Sequence, residues 1–448
     1  MTYGRTRRAD IFAVIMLCIA CTGGAKGGEV ADKYRQIAMK VAAAAQADSS
    51  IYRTLGEFCD AFPKRLSGSS NLERGIDWLV ERMKADGWNV RTQPVMVPHW
   101  MRGSESARMT LPIERSLPVC ALGGSIACDR LRGEVVVVSS YEDLAKNAAR
   151  VRGKIVLFNV PFTHYGETVS YRVGGAVAAA RLGAIASMVR SVGPFGIQTP
   201  HTGGMSYNDS VTKIPHAAIT MEDALMMQRM QDRGQKIEVV LSVGGHWMAD
   251  APSRNIIIDI PGTELPNEVV CMGGHIDSWD LGTGAMDDAG GCFAAWHGLN
   301  TIRKLGLKPR RTLRVVFWTN EENGLRGATA YEEQTRNEKH VLGIESDEGT
   351  FAPLGFTTAS GGDTLFAFQE ACTLLEPLGV TYVRKGHTGA DTSPLEAKGV
   401  PVLSLNVEDS KYFWYHHTEG DTIDKLRPDE VNMCAAALAI IGFIFADK

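Results

Sequence analysis

The stretch 270–291, VCMGGHIDSWDLGTGAMDDAGG, constrains the fold more than any other part of the chain. An apolar run enters it and is typical of a short buried strand, whereas the apolar residues after its final glycine pair are typical of a buried helix. The loop between them carries His275, Asp277, Asp280, Asp287 and Asp288. Open α/β sheets bind ligands where such loops leave the carboxyl ends of strands. Taken alone, however, the loop is equally consistent with a solvated acidic surface.

Three later β-rich runs, 312–319, 341–345 and 400–405, also lead into polar segments. Those segments contain Glu321 and Glu322, then Asp347, and finally His417. Because the carboxyl ends of parallel strands lie along one edge of a sheet, we expect these side chains to join His275 and Asp287. Each residue alone is more typical of a surface or a helix cap. Their joint placement at four strand ends predicts one functional site.

Two histidines and several carboxylates are the donor set that zinc prefers, whereas magnesium and calcium favour oxygen ligands alone. Two zinc ions about 3.5–4 Å apart need a bridging carboxylate, and a water between them becomes a hydroxide nucleophile near neutral pH. A carboxylate that is not a ligand must then carry the proton. Glu321 and Glu322 are adjacent and suit that division, one as ligand and one as base.

Several segments together resemble one enzyme family. HIDSWDLGTGAMDDAGG, TNEENGLRGATAY, ESDEGTF and HHTEGDT are similar to the co-catalytic di-zinc peptidases of the aminopeptidase and glutamate carboxypeptidase family. FCDAFPKRLSGSSNLERGIDWL, VPHWMRGSESA and KYFWYHHTEGDT extend the resemblance from about residue 45 to the C-terminus and narrow it to one exopeptidase branch. The resemblance implies an α/β fold with a mixed, mostly parallel sheet flanked by helices, the zinc-exopeptidase fold.

The resemblance also implies two zinc ions per chain and assigns roles to particular residues. The implied metal ligands are His275, Asp287, Glu322, Asp347 and His417, with Asp287 bridging the two ions. The implied catalytic residues are Glu321, as general base, and Asp277, which would hold the imidazole of His275. His417 is preferred to His416 because Asp421 follows it by four residues, as in the family pattern. The peptide between Asp287 and Asp288 is expected to be cis.

The middle of the chain differs in its residue pattern from the segments on either side. Short β-runs and glycine-rich turns are denser over 118–245, around one helix predicted at 174–182. The segments RGKIVLF and IPHAAITMEDA within it resemble a β-rich protease-associated domain inserted into the peptidase domain. We therefore expect a signal peptide at 1–25, a peptidase domain in two parts at 26–117 and 246–448, and the insert at 118–245.

The first 25 residues have the pattern of a secretory signal. A basic front is followed by the short apolar run 11–20 and by small residues. Cleavage after Ala25 would release a soluble protein, whereas the sequence around Cys21 also resembles a lipoprotein signal that anchors the chain through a lipid. Both routes predict an exported protein, periplasmic or secreted.

Charge and apolar patterning limit the partners. The net charge is −4 with scattered basic residues, which disfavours nucleic-acid binding. No uninterrupted apolar run reaches the roughly 18 residues that a spanning helix needs, so no transmembrane segment is expected. Once the first 25 residues are set aside, Cys120 and Cys128 are the one close cysteine pair flanked by turn residues, and they could form a small disulfide loop in an exported protein. The resemblance alone suggests a homodimer.

Together these features predict an exported di-zinc exopeptidase that hydrolyses short peptides, above all dipeptides with a free N-terminus, by attack of a metal-bridged hydroxide. Two alternatives stay open. A transferase of the glutaminyl cyclase kind would share the fold but use a single zinc ion. A non-catalytic receptor-like ectodomain would be expected to lack ligands or the base, and the sequence retains them all.

Overall fold

The computed structural model describes residues 28–448, so the predicted signal peptide and the predicted lipid site at Cys21 lie outside the described residues. The helices are α1 (Glu29–Ala47), α2 (Ser50–Ala61), α3 (Ser70–Ala85), α4 (Tyr141–Lys146), α5 (Ala148–Val151), α6 (Tyr165–Arg181), α7 (Met221–Asp232), α8 (Gly290–Lys304), α9 (Arg326–Gln334), α10 (Gly362–Cys372), α11 (Ser393–Glu396), α12 (Tyr412–Tyr415) and α13 (Pro428–Asp447). The strands are β1 (Arg91–Val97), β2 (Trp100–Met101), β3 (Glu105–Leu111), β4 (Arg115–Leu117), β5 (Val119–Ala121), β6 (Cys128–Val138), β7 (Ile155–Phe158), β8 (Ala186–Arg190), β9 (His216–Ile219), β10 (Glu238–Val243), β11 (His246–Trp247), β12 (Ala251–Ile260), β13 (Leu265–His275), β14 (Arg311–Trp318), β15 (Lys339–Glu345), β16 (Pro353–Thr358), β17 (Tyr382–Lys385) and β18 (Val402–Val407).

The first sheet has eight strands in the order β1-β12-β14-β13-β15-β18-β16-β17. Its four central strands, β14, β13, β15 and β18, all run parallel to their neighbours in that group. Antiparallel pairs add β12 and β1 at one side and β16 at the other, and β17 pairs parallel to β16. The predicted α/β fold with a mixed, mostly parallel sheet is confirmed, and its parallel centre aligns the four strand ends that carry the predicted site.

Helices cover both faces of this sheet. The larger core lies between one face and helices α1, α2, α3, α8, α10 and α13, and includes Val270, Phe293 and Phe317. A smaller core on the other face joins Val269, Trp318 and Tyr331 beneath α9 and α11. Alternate residues of β13 therefore point into opposite cores, as the period of two in a strand requires. Burial on both faces is what makes these central strands read as continuous apolar runs.

Helix α13 bears on the expectation that the chain has no transmembrane segment. Among the described residues it alone is long and apolar enough to cross a membrane, judged by length and composition. In the fold, however, 78% of its apolar window is buried inside the protein. Val431, Leu438 and Ile441 are all fully buried in the larger core. Its apolar character is that of a core helix of an α/β protein, covered on most sides by α1, α8 and the sheet.

The second sheet also has eight strands, in the order β4-β3-β10-β6-β7-β8-β9-β5. It begins at β3, so strands β3 and β4 before residue 118 belong to it. Helix α7 packs on one face, and helices α4 and α6 pack on the other. Trp279 and Leu281, from the loop after β13, are buried in these two cores. The loop after β13, which carries predicted metal ligands, therefore also forms part of the interface between the first and second sheets.

Two local expectations differ from the structure. Helix α6 begins at Tyr165 rather than Gly174, and Gly175 lies inside it, where an added Cβ would meet the Phe158 ring at 3.0 Å. This glycine serves close helix–sheet packing instead of marking a helix start. Cys120 and Cys128 are both free thiols, so the suggested disulfide is wrong. Three strands separate β5 from β6, and the two cysteines join different cores.

Candidate metal centre

The four predicted strand ends meet at one edge of the first sheet. His275 is the last residue of β13, and Asp347 lies two residues beyond the end of β15. Glu321 and Glu322 follow β14, and His417 follows β18 and the short helix α12. A cavity of about 370 Å³ opens between them. Its walls include Tyr165, Arg172, Asp287, Glu321, Glu322, Asp347, Glu348, Tyr412, His416 and His417.

His275 points one ring nitrogen at carboxylates and the other at the main chain. Its Nε2 lies 3.2 Å from Asp287 Oδ1, 3.2 Å from Asp347 Oδ1 and 3.9 Å from Glu321 Oε2. Its Nδ1 donates to the Asp277 carbonyl at 3.0 Å, because a carbonyl oxygen can only accept. That bond fixes the tautomer and leaves Nε2 free for a ligand.

His417 has the same arrangement on the opposite side of the cavity. Its Nε2 lies 3.1 Å from Glu322 Oε2 and 3.3 Å from Asp287 Oδ2. Its Nδ1 donates to the carbonyl of Thr202, a residue of the second sheet's module, at 3.3 Å. Among the described carboxylates, His416 lies within 4 Å of Asp287 alone, at 3.6 Å, and its ring stacks on that of His417. The geometry favours His417 over His416 as the ligand.

Asp287 stands between the two imidazoles. Its Oδ1 faces His275 and its Oδ2 faces His417, at 3.2 and 3.3 Å. The peptide that joins it to Asp288 is cis, as predicted from the resemblance. Asp287 therefore presents one carboxylate oxygen to each half of the site.

The loop that carries Asp287 is held by two residues whose roles the sequence did not reveal. The Asp421 carboxylate accepts backbone N–H bonds from Ala285, Met286 and Asp287 at 3.0, 2.7 and 3.2 Å. Arg65 is fully buried, and its guanidinium donates only to main-chain carbonyls. Those carbonyls belong to Phe62, Ile276, Thr283 and Gly284. Together they fix both ends of the turn that presents the carboxylate.

Asp277 connects the loop that follows β13 with the loop that follows β14. Its carboxylate accepts the backbone N–H groups of Glu321 at 3.1 Å and Glu322 at 3.4 Å, while its carbonyl accepts from His275. The carboxylate oxygen Oδ1 lies 3.8 Å from the His275 ring. Asp277 thus orients the imidazole through its main chain and the glutamate pair through its side chain.

The two remaining acidic residues of the loop hold structure. Asp288 accepts the backbone N–H of His275 and that of Gly291, both at 3.1 Å, so it caps the start of α8. Asp280 forms an ion pair with Arg102 at the module interface.

Burial and crowding shift the protonation of the site. Burial, reinforced by Asp347 and Glu322, raises the pKa of Glu321 well above its usual range. Burial and Asp287 raise the pKa of Glu322 to about 7. Burial opposes charge on the His417 imidazole, but Glu322 and Asp287 outweigh it and raise its pKa to about 10. The cluster therefore shares protons that a divalent cation would displace.

The donor set fits zinc. Three groups of side chains each bring ligand atoms within 4.8 Å of one another: His275 with Asp288 and Asp347, His275 with Asp287 and Glu322, and Asp287 with His416 and His417. Both imidazoles have their second nitrogen committed to a main-chain carbonyl, which is the usual support of a metal-binding histidine. Mixed imidazole and carboxylate donors favour zinc over magnesium or calcium.

A further cation reaches the cavity from the second sheet's module. Arg172, on α6, is 6% exposed, donates to Thr202 O at 3.3 Å and to Tyr165 Oη at 2.8 Å, and its Nε has no hydrogen-bond partner. Among the described residues no carboxylate lies within ion-pair distance of it. The Arg172 side chain occupies space that is open because residue 203 is glycine, since a Cβ there would meet Arg172 Cζ at 2.3 Å. Sequence reasoning missed this residue, because nothing in the pattern of α6 marks it.

Known proteins match both the chain and its fold. Residues 255–441 match the model of peptidase family M28. The sequence is 42% identical over 422 residues to carboxypeptidase Q of Xenopus laevis, covering 92% of this chain and 90% of the relative. The resemblance to an exopeptidase branch is thereby confirmed, and that branch is carboxypeptidase Q.

Solved structures of peptidases share the fold of this chain. A peptidase M28 precursor from Shewanella amazonensis superposes with a TM-score of 0.89 and 34% identity, over 93% of this chain and 97% of that chain. A zinc aminopeptidase from Bacillus subtilis has a TM-score of 0.65 at 18% identity, over 87% of this chain and 93% of that chain, and so shares the fold.

Proposed function

The chain belongs to peptidase family M28, and we propose that it is an exported di-zinc exopeptidase that hydrolyses short peptides, above all dipeptides with a free N-terminus. The observation that carries the proposal is the position of Asp287, whose two carboxylate oxygens face His275 and His417 separately. That arrangement suits a carboxylate shared by two metal ions.

In this proposal His275, Asp287 and Asp347 would hold the first zinc ion, and Asp287, Glu322 and His417 would hold the second. When bound, the pair would polarise the scissile carbonyl and acidify a water molecule for attack. The remaining residues supply orientation. Asp277, Asp421 and Arg65 hold the ligand loops through main-chain contacts, so the donors are in place before substrate arrives.

Glu321 is the proposed general base. It lines the cavity beside the ligands, and its carboxylate is 3.9 Å from His275 Nε2. Its raised pKa comes from burial next to other carboxylates, which favours accepting a proton from the attacking water. The same carboxyl group can then donate that proton to the leaving amine.

The cavity supports a small zwitterionic substrate. Its volume of about 370 Å³ lies at the low end of ligand pockets. Glu348 lines one part and suits a free amino group, while Arg172 offers a guanidinium without a carboxylate partner, which suits a free carboxylate. A dipeptide carries both groups, whereas a longer peptide moves its carboxylate away from Arg172.

The inserted module completes this enclosure. We propose that residues 118–245 form a protease-associated domain between the two parts of the peptidase domain, 26–117 and 246–448. Tyr165 and Arg172 reach the cavity from it. We also propose export through the segment 1–25, with mass spectrometry of the mature N-terminus separating cleavage from lipidation at Cys21. A homodimer stays a proposal for light scattering.

Zinc content tests the metal scheme. The purified chain should contain two zinc ions, and a single ion would favour the cyclising transferase instead. Hydrolysis tests the activity: a dipeptide should be cleaved and its N-acetylated form should not. Equal cleavage of both forms would refute recognition of the free N-terminus, and no cleavage of any peptide would favour the receptor-like alternative.

A further inference from the structure

The two histidines of the site are supported from different parts of the chain. The acceptor for His275 Nδ1 is Asp277, in the same loop, at 3.0 Å. The acceptor for His417 Nδ1 is Thr202, whose own backbone N–H donates back to the His417 carbonyl at 2.9 Å. His417 has a φ of 61°, a conformation that L-residues rarely adopt. This reciprocal pair therefore holds both the ring and the main chain of His417 from the inserted module.

Thr202 is seated in turn by a buried arginine. Arg102 donates through Nη2 to Thr202 Oγ1 at 2.9 Å, through Nε to Asp280 Oδ2 at 2.8 Å, and through Nη1 to the Ala121 carbonyl. Asp280 belongs to the loop between His275 and Asp287. The Arg102 side chain is 10% exposed, so water screens these bonds little. One guanidinium thus joins the metal loop, strand β5 and the segment that supports His417.

From this geometry we infer that Thr202, in the inserted module, and Arg102, which lies between β2 and β3, are positioning residues that set the affinity of one metal site, the one that contains His417. The imidazole of His275 is supported within its own loop, by the Asp277 carbonyl, and has no contact of this kind with Thr202. The inference rests on the proposed two-metal function. Outer contacts of this kind are typically worth about 10–100-fold in metal affinity.

Thr202→Val tests the inference with little change of shape. It removes the hydroxyl that Arg102 binds and leaves the main-chain donor and acceptor. Thr202→Ser keeps the hydroxyl and is the conservative variant, and Arg102→Lys is a second disruption that retains the charge. Arg108→Met removes an exposed ion pair between β3 of the second sheet and Glu114, and serves as the control.

The zinc-loaded full-length proteins are titrated with a chelator, and zinc per chain is measured along with circular dichroism. Thr202→Val and Arg102→Lys should release one ion at roughly 10-fold or more lower chelator concentration and the other as in the wild type. Thr202→Ser and Arg108→Met should match the wild type. Equal release in all variants, or equal weakening of both ions, overturns the inference alone. A wild type that binds a single ion overturns the two-metal proposal and this inference with it.

Discussion

Replacing Arg172 by methionine tests which end of the substrate the inserted module recognises. The guanidinium is 6% exposed, its Nε lacks a partner, and no described carboxylate pairs with it. A substrate carboxylate would gain a charge-assisted bond there, and truncating one partner of such a buried pair costs about 2–5 kcal/mol. That loss corresponds to roughly 30- to 4,000-fold in kcat/KM for a dipeptide, at about 1.4 kcal/mol per tenfold.

The assay compares a dipeptide with its C-terminal amide, which keeps the scissile bond but removes the negative charge. Arg172→Met should lose most activity towards the dipeptide and change activity towards the amide only a few-fold. Arg172→Lys should fall between, because it keeps the charge but not the planar fork. Arg181→Met, an exposed residue on the same helix, is the matched control. Equal losses on both substrates, or no loss on either, would refute carboxylate recognition by Arg172.

Three other changes probe the base, the loop and the module. Glu321→Gln should retain zinc by elemental analysis yet lower kcat by about 10²–10⁴-fold, since it cannot take the proton. Asp421→Asn replaces an acceptor of the Asp287 loop by a donor, so zinc affinity by chelator competition should fall at least about 10-fold. Burial lowers the pKa of His216 to about 4. The unfolded chain therefore binds more protons between pH 4 and about 6.5, and stability falls as pH drops through that range, by up to about 3 kcal/mol. His216→Gln should reduce that slope in urea unfolding.

The strand ends were predictable from the sequence because their physics is local. An apolar run buried on both faces is continuous, and the polar residue after it marks the edge of the sheet. His275, Asp347 and the Glu321–Glu322 pair could be placed in this way. The division of roles between the two glutamates needed the family resemblance, because adjacent carboxylates carry no signal that separates ligand from base.

The supporting contacts could not be predicted for a different reason. Arg65 and Thr202 act through main-chain carbonyls, which every residue possesses, so their partners leave no trace in the sequence. Arg172 looks like any arginine on an amphipathic helix until the fold places Gly203 beside it. These contacts join segments far apart in the chain, and only the packing of the module on the metal loop creates them.

The excess of negative charge at the site explains why the candidate metal ligands could be recognised from the sequence. Asp287, Glu321, Glu322 and Asp347 crowd one largely buried cavity edge, and two imidazoles are the groups that oppose them there. Bringing that many carboxylates out of water is unfavourable unless protons or cations neutralise them. Acidic residues nevertheless follow several buried strands in this sequence. Their pattern therefore indicates a positive charge at the site that the protein's own side chains do not supply. In the proposed function a pair of divalent ions would supply that charge, so that the fold of the loops and their chemistry would depend on the same ions.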